Sequence, residues 1–285
     1  MKKIGILYIC TGKYVLFWED FYKSFEEKFL NDCELHYFVF TDADSIYGEA
    51  DNNRIHRTYI DTWPWPLVTL FRFKTFLLVE EELKKMDYLM FSNSNMVCDE
   101  IITAEEFLPR VEAGEELFVT IHPGYQDVAM NHTPLDRNKE SYAYVPYNKG
   151  KNYVIGAMNG GTSEGFLKMC RTLDKAIDED LKHNTIARWH DESHLNRYIV
   201  DRSDVRVLEP SYCYPWGMDV AYPKKISAVS KQAKFDVKDF KGVYQISGMD
   251  LFKKRVKAVR TRIKESVGKV WDAVTAKKVR SYDFQ

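Results

Sequence analysis

Ile4-Gly5-Ile6-Leu7-Tyr8-Ile9-Cys10-Thr11-Gly12 opens the chain's ordered pattern and decides its fold class. Seven residues, 4–10, form a short apolar run that ends in a turn signal, as a fully buried strand does. Residues 15–30 (VLFWEDFYKSFEEKFL) then carry apolar side chains at helical spacing. Residues 34–40 (ELHYFVF) alternate and stop at Thr41-Asp42. A polar stretch, 42–62, follows, and Pro64 and Pro66 punctuate the approach to a helix predicted over 68–85. Asp87-Tyr88-Leu89-Met90-Phe91 reads as another strand and runs into Asn93-Ser94-Asn95. Strand, helix, strand, helix, strand is the pattern of an α/β fold, a mostly parallel central sheet flanked by helices. Ligands bind such sheets at the carboxyl ends of the strands. Three polar groups fall there: Thr11 to Tyr14, Thr41-Asp42, and Asn93-Ser94-Asn95.

Further along, a strand at 117–121 leads into His122-Pro123-Gly124, and an aperiodic polar segment to about 150 reads as a loop over a site. Residues 153–158 (YVIGAM) lead to Asn159-Gly160-Gly161-Thr162, where the glycines suit either close backbone approach or a turn. A helix is expected over 164–182, and Arg188 to Asn196 as the entry of another.

Composition sets the outer bounds. The 285 residues are 45% hydrophobic and 29% charged, which suits a globular chain and excludes collagen-like or disordered classes. Five cysteines, odd in number and without a C-x-x-C pair, argue against a disulfide framework or zinc ribbon and for a reducing cytoplasm. No stretch reads as a membrane span or signal peptide. The net charge of −1 hides an asymmetry: residues 251–285 hold eleven Lys/Arg against three Asp/Glu, a net of +8. Phe252, Val256, Val259, Ile263, Val267, Val270 and Val274 fall on one stripe of a basic amphipathic helix. That stripe fits self-association or packing, or an anionic membrane surface. No nucleic-acid-binding fold accompanies the charge. The expected division is 1–245 for the catalytic domain and 246–285 for the basic tail.

His190-Asp191-Glu192-Ser193-His194 carries the densest chemistry. Histidines at i and i+4 share a helix face and suit zinc, although Glu192 is misplaced for known zincin motifs. Equally, Asp191 and Glu192 form a metal-free carboxylate pair, one gripping a hydroxyl and the other attacking or shuttling a proton. An exposed, charged first helical turn is the plainest alternative. Lys225 and Lys231 precede the tail, and a lysine there can neutralise a diphosphate leaving group.

Together these residues resemble glycosyltransferase family 6, the family of the histo-blood-group A and B transferases and the α1,3-galactosyltransferases. The resemblance runs in order through Lys13-Tyr14-Val15, Tyr37 to Asp42, Trp65 to Arg72, His122-Pro123-Gly124, Ala143 to Pro146, Gly160-Gly161, Trp189 to Asn196, and Ala228 to Lys231. It implies a GT-A fold and retaining α1,3 transfer of GalNAc or galactose from UDP-GalNAc or UDP-Gal to a galactoside, a fucosylated H-type acceptor being favoured. By register, Ile9, Cys10, Thr11 and Tyr14 match uracil and ribose contacts, and Arg72 a donor-binding arginine. Asn93 and Asn95 stand where the animal enzymes have the two metal-motif aspartates. Ile155, Gly156 and Ala157 line the pocket for the sugar's 2-substituent. Asp191 matches a donor-sugar contact, Glu192 the catalytic glutamate and Lys231 a diphosphate-binding lysine. His122 and Trp189 match acceptor contacts. Replacing two aspartates by asparagines removes two charges from the metal motif, as in the bacterial branch of the family. The resemblance therefore implies no metal and no resident cofactor, the UDP-sugar being a co-substrate. The animal enzymes' anchor and stem have no counterpart before the first strand, which points to a cytoplasmic enzyme, peripheral at most to the inner membrane surface. A nucleotide-sugar or glycan-binding module without turnover is the alternative from another class.

Overall fold

The computed structural model describes residues 1–63 and 65–236. The basic helix whose stripe runs from Phe252 to Val274, and the whole of the 246–285 tail, lie outside the described residues.

The strands are β1 (Lys3–Ile9), β2 (Glu34–Thr41), β3 (Ile55–Tyr59), β4 (Tyr88–Ser92), β5 (Met96–Cys98), β6 (Leu117–Ile121), β7 (Val154–Thr162), β8 (Val205–Leu208) and β9 (Ile226–Ala228). Seven form one sheet in the order β3-β2-β1-β4-β7-β6-β8, and β5 pairs with β9. β1, β2, β3 and β4 run parallel, as do β6 and β8, while β7 is antiparallel to both of its neighbours. The sheet is mixed and mostly parallel, as the sequence pattern and the resemblance both imply.

Alternation along β1 sends Ile4, Ile6, Tyr8 and Cys10 to one face and Leu7 to the other, and a separate core covers each face. On the first face α1 (Trp18–Lys28) buries Trp18, Phe21 and Phe25, at helical spacing. Glu19 and Asp20 in its first turn and Lys28 in its last complement the helix dipole. The second face is covered by α3 (Arg72–Leu77) and the long α6 (Ser163–Lys182), through Phe73, Phe76, Phe166 and Leu173. The short α2 (Leu67–Leu70), α4 (Glu80–Leu83) and α5 (Ala104–Phe107) fill the connections, and α7 (His190–Ile199) packs against β7 and α6.

Two expectations change. The single helix read over 68–85 is three short ones, because the backbone leaves helical geometry at Phe71 (ψ 10°) and at β-branched Val79 (φ −121°, ψ 29°). The polar stretch 42–62 contains β3, an edge strand that buries only Ile55 of its five residues and so carries no apolar alternation to read. Of the two readings of Gly160 and Gly161, close backbone approach is the one found, and it is to neighbouring strands of the sheet. Both glycines lie inside β7, where a Cβ on Gly160 would stand 2.4 Å from the Leu89 carbonyl oxygen and one on Gly161 2.5 Å from that of Glu116. The next residue, Thr162, caps α6 by accepting from the Gly165 N–H at 3.2 Å.

Candidate active site

At the carboxyl ends of β4 and β6, beside the start of β7, a cleft of about 230 Å³ opens, walled by Arg72, Asn93, His122, Ile155, Gly156, Ala157, Trp189, Asp191 and Glu192. All nine were singled out from the sequence, and the fold gathers them from five separate segments.

Helix α7 begins at the cleft. The Trp189 N–H donates to Ser193 Oγ at 2.9 Å and fixes the first turn. Asn196, one turn further, uses its amide as a strand would: Oδ1 accepts from the Val154 N–H at 2.9 Å, and Nδ2 donates to the Val154 carbonyl at 2.8 Å. This stitch docks α7 on β7 and brings Asp191 and Glu192 against the backbone of Gly156. A Cβ on Gly156 would lie 3.2 Å from both Asp191 Oδ2 and Glu192 Cβ, so the smallest residue sits where helix and strand approach closest.

The two adjacent carboxylates have different partners. Asp191 is buried and its Oδ2 lies 2.6 Å from Arg72 Nη1. Burial pushes its pKa up to about 6, against the pull of the Arg72 guanidinium. Arg72 is itself buried, its guanidinium 4.0 Å from the Phe91 ring centroid, and Nη1 also donates to the Gly156 carbonyl at 2.8 Å. Breaking a buried pair of this kind from one side costs about 3–5 kcal/mol. Glu192 is held by two donors: the Tyr153 hydroxyl at 2.5 Å from Oε1 and the Gly156 N–H at 2.8 Å from Oε2. Burial raises its pKa, while these hydrogen bonds and Arg72 draw it back. The result is a fixed, oriented carboxylate facing a cleft, which is the geometry of a nucleophile or of a group that stabilises positive charge.

His122 Nδ1 accepts from the Gly124 N–H at 3.0 Å, and burial lowers the pKa of the ring. A neutral imidazole in that tautomer carries its proton on Nε2, a donor suited to a hydroxyl oxygen. Trp189 is 47% exposed in the cleft wall, which suits the apolar face of a sugar ring.

The remaining candidates, Ile9, Cys10, Thr11, Tyr14, Asn95 and Lys231, are not among the residues that wall this cleft. Ile9, Cys10, Thr11 and Tyr14 stand at the end of β1, with Cys10 and Thr11 buried. The Thr41 hydroxyl donates to the Cys10 carbonyl, and the Gly12 N–H to Asp42 Oδ1, so the ends of β1 and β2 are tied together. Asn93 donates its N–H to the Ala157 carbonyl. Asn95 donates Nδ2 to the Val229 carbonyl at 2.8 Å and accepts the Val229 N–H on its own carbonyl. Two residues later Lys231 holds its ammonium 5.1 Å from the Tyr14 ring centroid. Lys225, by contrast, is engaged by Glu106 at 3.1 Å.

The two histidines do not converge on a metal. His190 stands edge-on to Trp65, centroids 5.0 Å apart, whereas His194 is wholly buried with Nε2 3.4 Å from Asp180. Among the described residues no three His, Cys, Asp or Glu side chains gather in a metal-holding group. The five cysteines are free and buried. Sequence reasoning missed Tyr153 and gave Asn196 no role. Nothing in the spacing distinguishes Tyr153 from a core aromatic, whereas Asn196 closes the WHDESHLN string and was visible there.

A mixed α/β sheet with its cleft at the strand ends, lined by an arginine and an oriented carboxylate pair, defines a GT-A-like glycosyltransferase. The sequence model of glycosyltransferase family 6 matches residues 2–241, and the chain belongs to that family. It is 35% identical to the O-antigen biosynthesis glycosyltransferase WbnI of Escherichia coli, over 83% of this chain and 94% of that one. It is 28% identical to histo-blood group ABO system transferase 2 of Rattus norvegicus and to human globoside alpha-1,3-N-acetylgalactosaminyltransferase 1. Each of those matches covers 74% of this chain but only 63% and 60% of the relative, so the chain spans about three-fifths of the animal proteins. No helix among the described residues is long and apolar enough to cross a membrane.

Proposed function

We propose that this glycosyltransferase moves GalNAc, with galactose as the second choice, from a UDP donor in α1,3 linkage with retention to a galactoside, preferentially a fucosylated H-type glycan. The observation that carries the reading is the Glu192 carboxylate, fixed by Tyr153 and Gly156 beside the Arg72–Asp191 pair. Retention proceeds by one of two routes. In one, a Glu192 oxygen bonds to C1 as the bond to UDP breaks, and the acceptor O3 then displaces it. In the other, the acceptor attacks from the leaving-group face as the bond to UDP breaks, while Glu192 stabilises positive charge at C1; in both routes the acceptor's O3 proton passes to an oxygen of the released diphosphate. Both ask for an ionised, oriented carboxylate.

Arg72 and Asp191 serve the donor sugar, Ile155, Gly156 and Ala157 its 2-substituent, and His122 and Trp189 the acceptor. The end of β1 serves uracil and ribose. A GalNAc preference is supported by the small residues at 156 and 157, and the similarity to the human globoside alpha-1,3-N-acetylgalactosaminyltransferase points the same way. Metal independence is supported by the neutral amides at Asn93 and Asn95, which bind divalent cations far more weakly than carboxylates. The counter-charge for the leaving diphosphate then comes from Lys231 with Arg72. The enzyme works in the cytoplasm, and the basic tail brings it to an anionic membrane surface or to a second copy of itself.

Glu192→Gln tests the core of this reading. The variant should bind the UDP-sugar with about the wild-type affinity by calorimetry, and lose about a thousandfold or more in transfer. Undiminished function in the variant would support a binding module without turnover.

A further inference from the structure

The segment between β6 and β7 contains no strand or long helix, yet Thr133 to Asp136, Ser141 and Ala143 to Val145 are buried. A buried loop needs partners for its backbone N–H groups. Two buried carboxylates supply them. Asp180, near the end of α6, accepts from Ser141 Oγ at 2.5 Å and from the Tyr142 N–H at 2.8 Å. Asp136, within the loop, accepts on Oδ1 from the Asn138 N–H at 2.7 Å and on Oδ2 from the Arg188 N–H at 2.6 Å. Its own carbonyl takes the Val145 N–H at 2.9 Å.

The bond to Arg188 reaches the cleft. Arg188 immediately precedes Trp189, which lines the cleft and whose backbone N–H is held by Ser193. The main chain at Trp189 is thus gripped on one side by the loop and on the other by α7. The donor-side groups have separate supports: Arg72 for Asp191, Tyr153 and Gly156 for Glu192. We infer that Asp136 is a positioning residue for the acceptor: through the Arg188 backbone amide it sets the wall that Trp189 presents to the incoming sugar. The inference rests on the reading of Trp189 as an acceptor contact. A carboxylate suits the task because two N–H donors converge on it. An asparagine has one acceptor oxygen and would turn its own N–H₂ toward the second donor.

Asp136→Ala and Asp136→Asn test this through the split between substrates. Initial rates are measured against a galactoside acceptor and against the UDP-sugar, together with hydrolysis of the UDP-sugar without acceptor and the melting temperature. The alanine variant should raise the acceptor KM about tenfold, the scale of losing a hydrogen bond to a charged group. The asparagine variant should fall between it and wild type, with donor KM and hydrolysis changed by less than about twofold in both. An unchanged acceptor KM, or hydrolysis falling in step with transfer, overturns the proposal. If the alanine variant does not fold, the asparagine variant is judged by the same comparison. A wild-type enzyme that turns over the UDP-sugar yet has an acceptor KM insensitive to Trp189→Ala removes the acceptor reading itself, and that outcome is distinct from a failure at Asp136.

Discussion

Glu192 shows how one side chain is given both its position and its charge. The Tyr153 hydroxyl is the strongest of the interactions that draw its pKa down against burial. Tyr153→Phe removes that bond and leaves the ring's packing in place. In the wild type, kcat/KM should fall as pH drops through about 6, where Asp191 takes up a proton and Arg72 loses its partner. Above that range the profile should be flat until another group titrates. In Tyr153→Phe the carboxylate of Glu192 protonates at higher pH than in the wild type, so a second protonation joins that of Asp191 and the acid limb should steepen. The kcat at its plateau should drop about tenfold, as expected for one lost hydrogen bond to a charged group. An unchanged plateau kcat together with superimposable pH profiles would show that Tyr153 neither orients nor tunes the carboxylate.

Among the elements, the small β5–β9 pair links the asparagine motif to the lysine. β5 follows Asn95 directly, and Asn95 and Val229 exchange hydrogen bonds just beyond the ladder. The chain then delivers Lys231 to Tyr14, while Phe235 packs on Tyr14 and Phe17. Asn95 thus serves as a brace for the segment bearing Lys231, and its side-chain amide is engaged in that task. Lys231→Ala should lower kcat by about 10²–10³, the usual loss when a transition-state charge partner is removed. Near-normal turnover would show that the leaving diphosphate finds its counter-charge elsewhere. How far such elements could be read in advance followed from their chemistry. Buried strands such as β1 and β6 announce themselves as apolar runs bounded by turns. β3 and β9 do not, because an edge strand or a three-residue pair gains its stability from hydrogen-bonded neighbours that the local sequence does not show. The cleft residues were legible largely through the resemblance, since charge and spacing alone left zinc and metal-free readings of residues 190–194 equally open. Tyr153 stayed hidden because its partner, Glu192, is 39 positions away. The Asp136 contact to Arg188 spans 52 positions and escaped for the same reason.

At the scale of the whole molecule, two cores clamp the seven-stranded sheet and leave its strand ends to the chemistry. To this body the sequence adds a +8 tail. If the tail locates the enzyme at an anionic surface, a chain ending at residue 250 should keep transfer to a soluble acceptor and lose sedimentation with phosphatidylserine-containing vesicles. Loss of self-association without any change in vesicle binding would instead make the tail a packing element. The central claim, glycosyl transfer to a galactoside without a divalent cation, is tested most directly by one assay. Transfer from UDP-GalNAc and from UDP-Gal to 2′-fucosyllactose is measured with excess EDTA and with Mn²⁺. The account predicts transfer that persists undiminished in EDTA, faster from UDP-GalNAc. Transfer that appears only with Mn²⁺ would contradict it, because the asparagine pair would then be recruiting the charge assigned to Lys231.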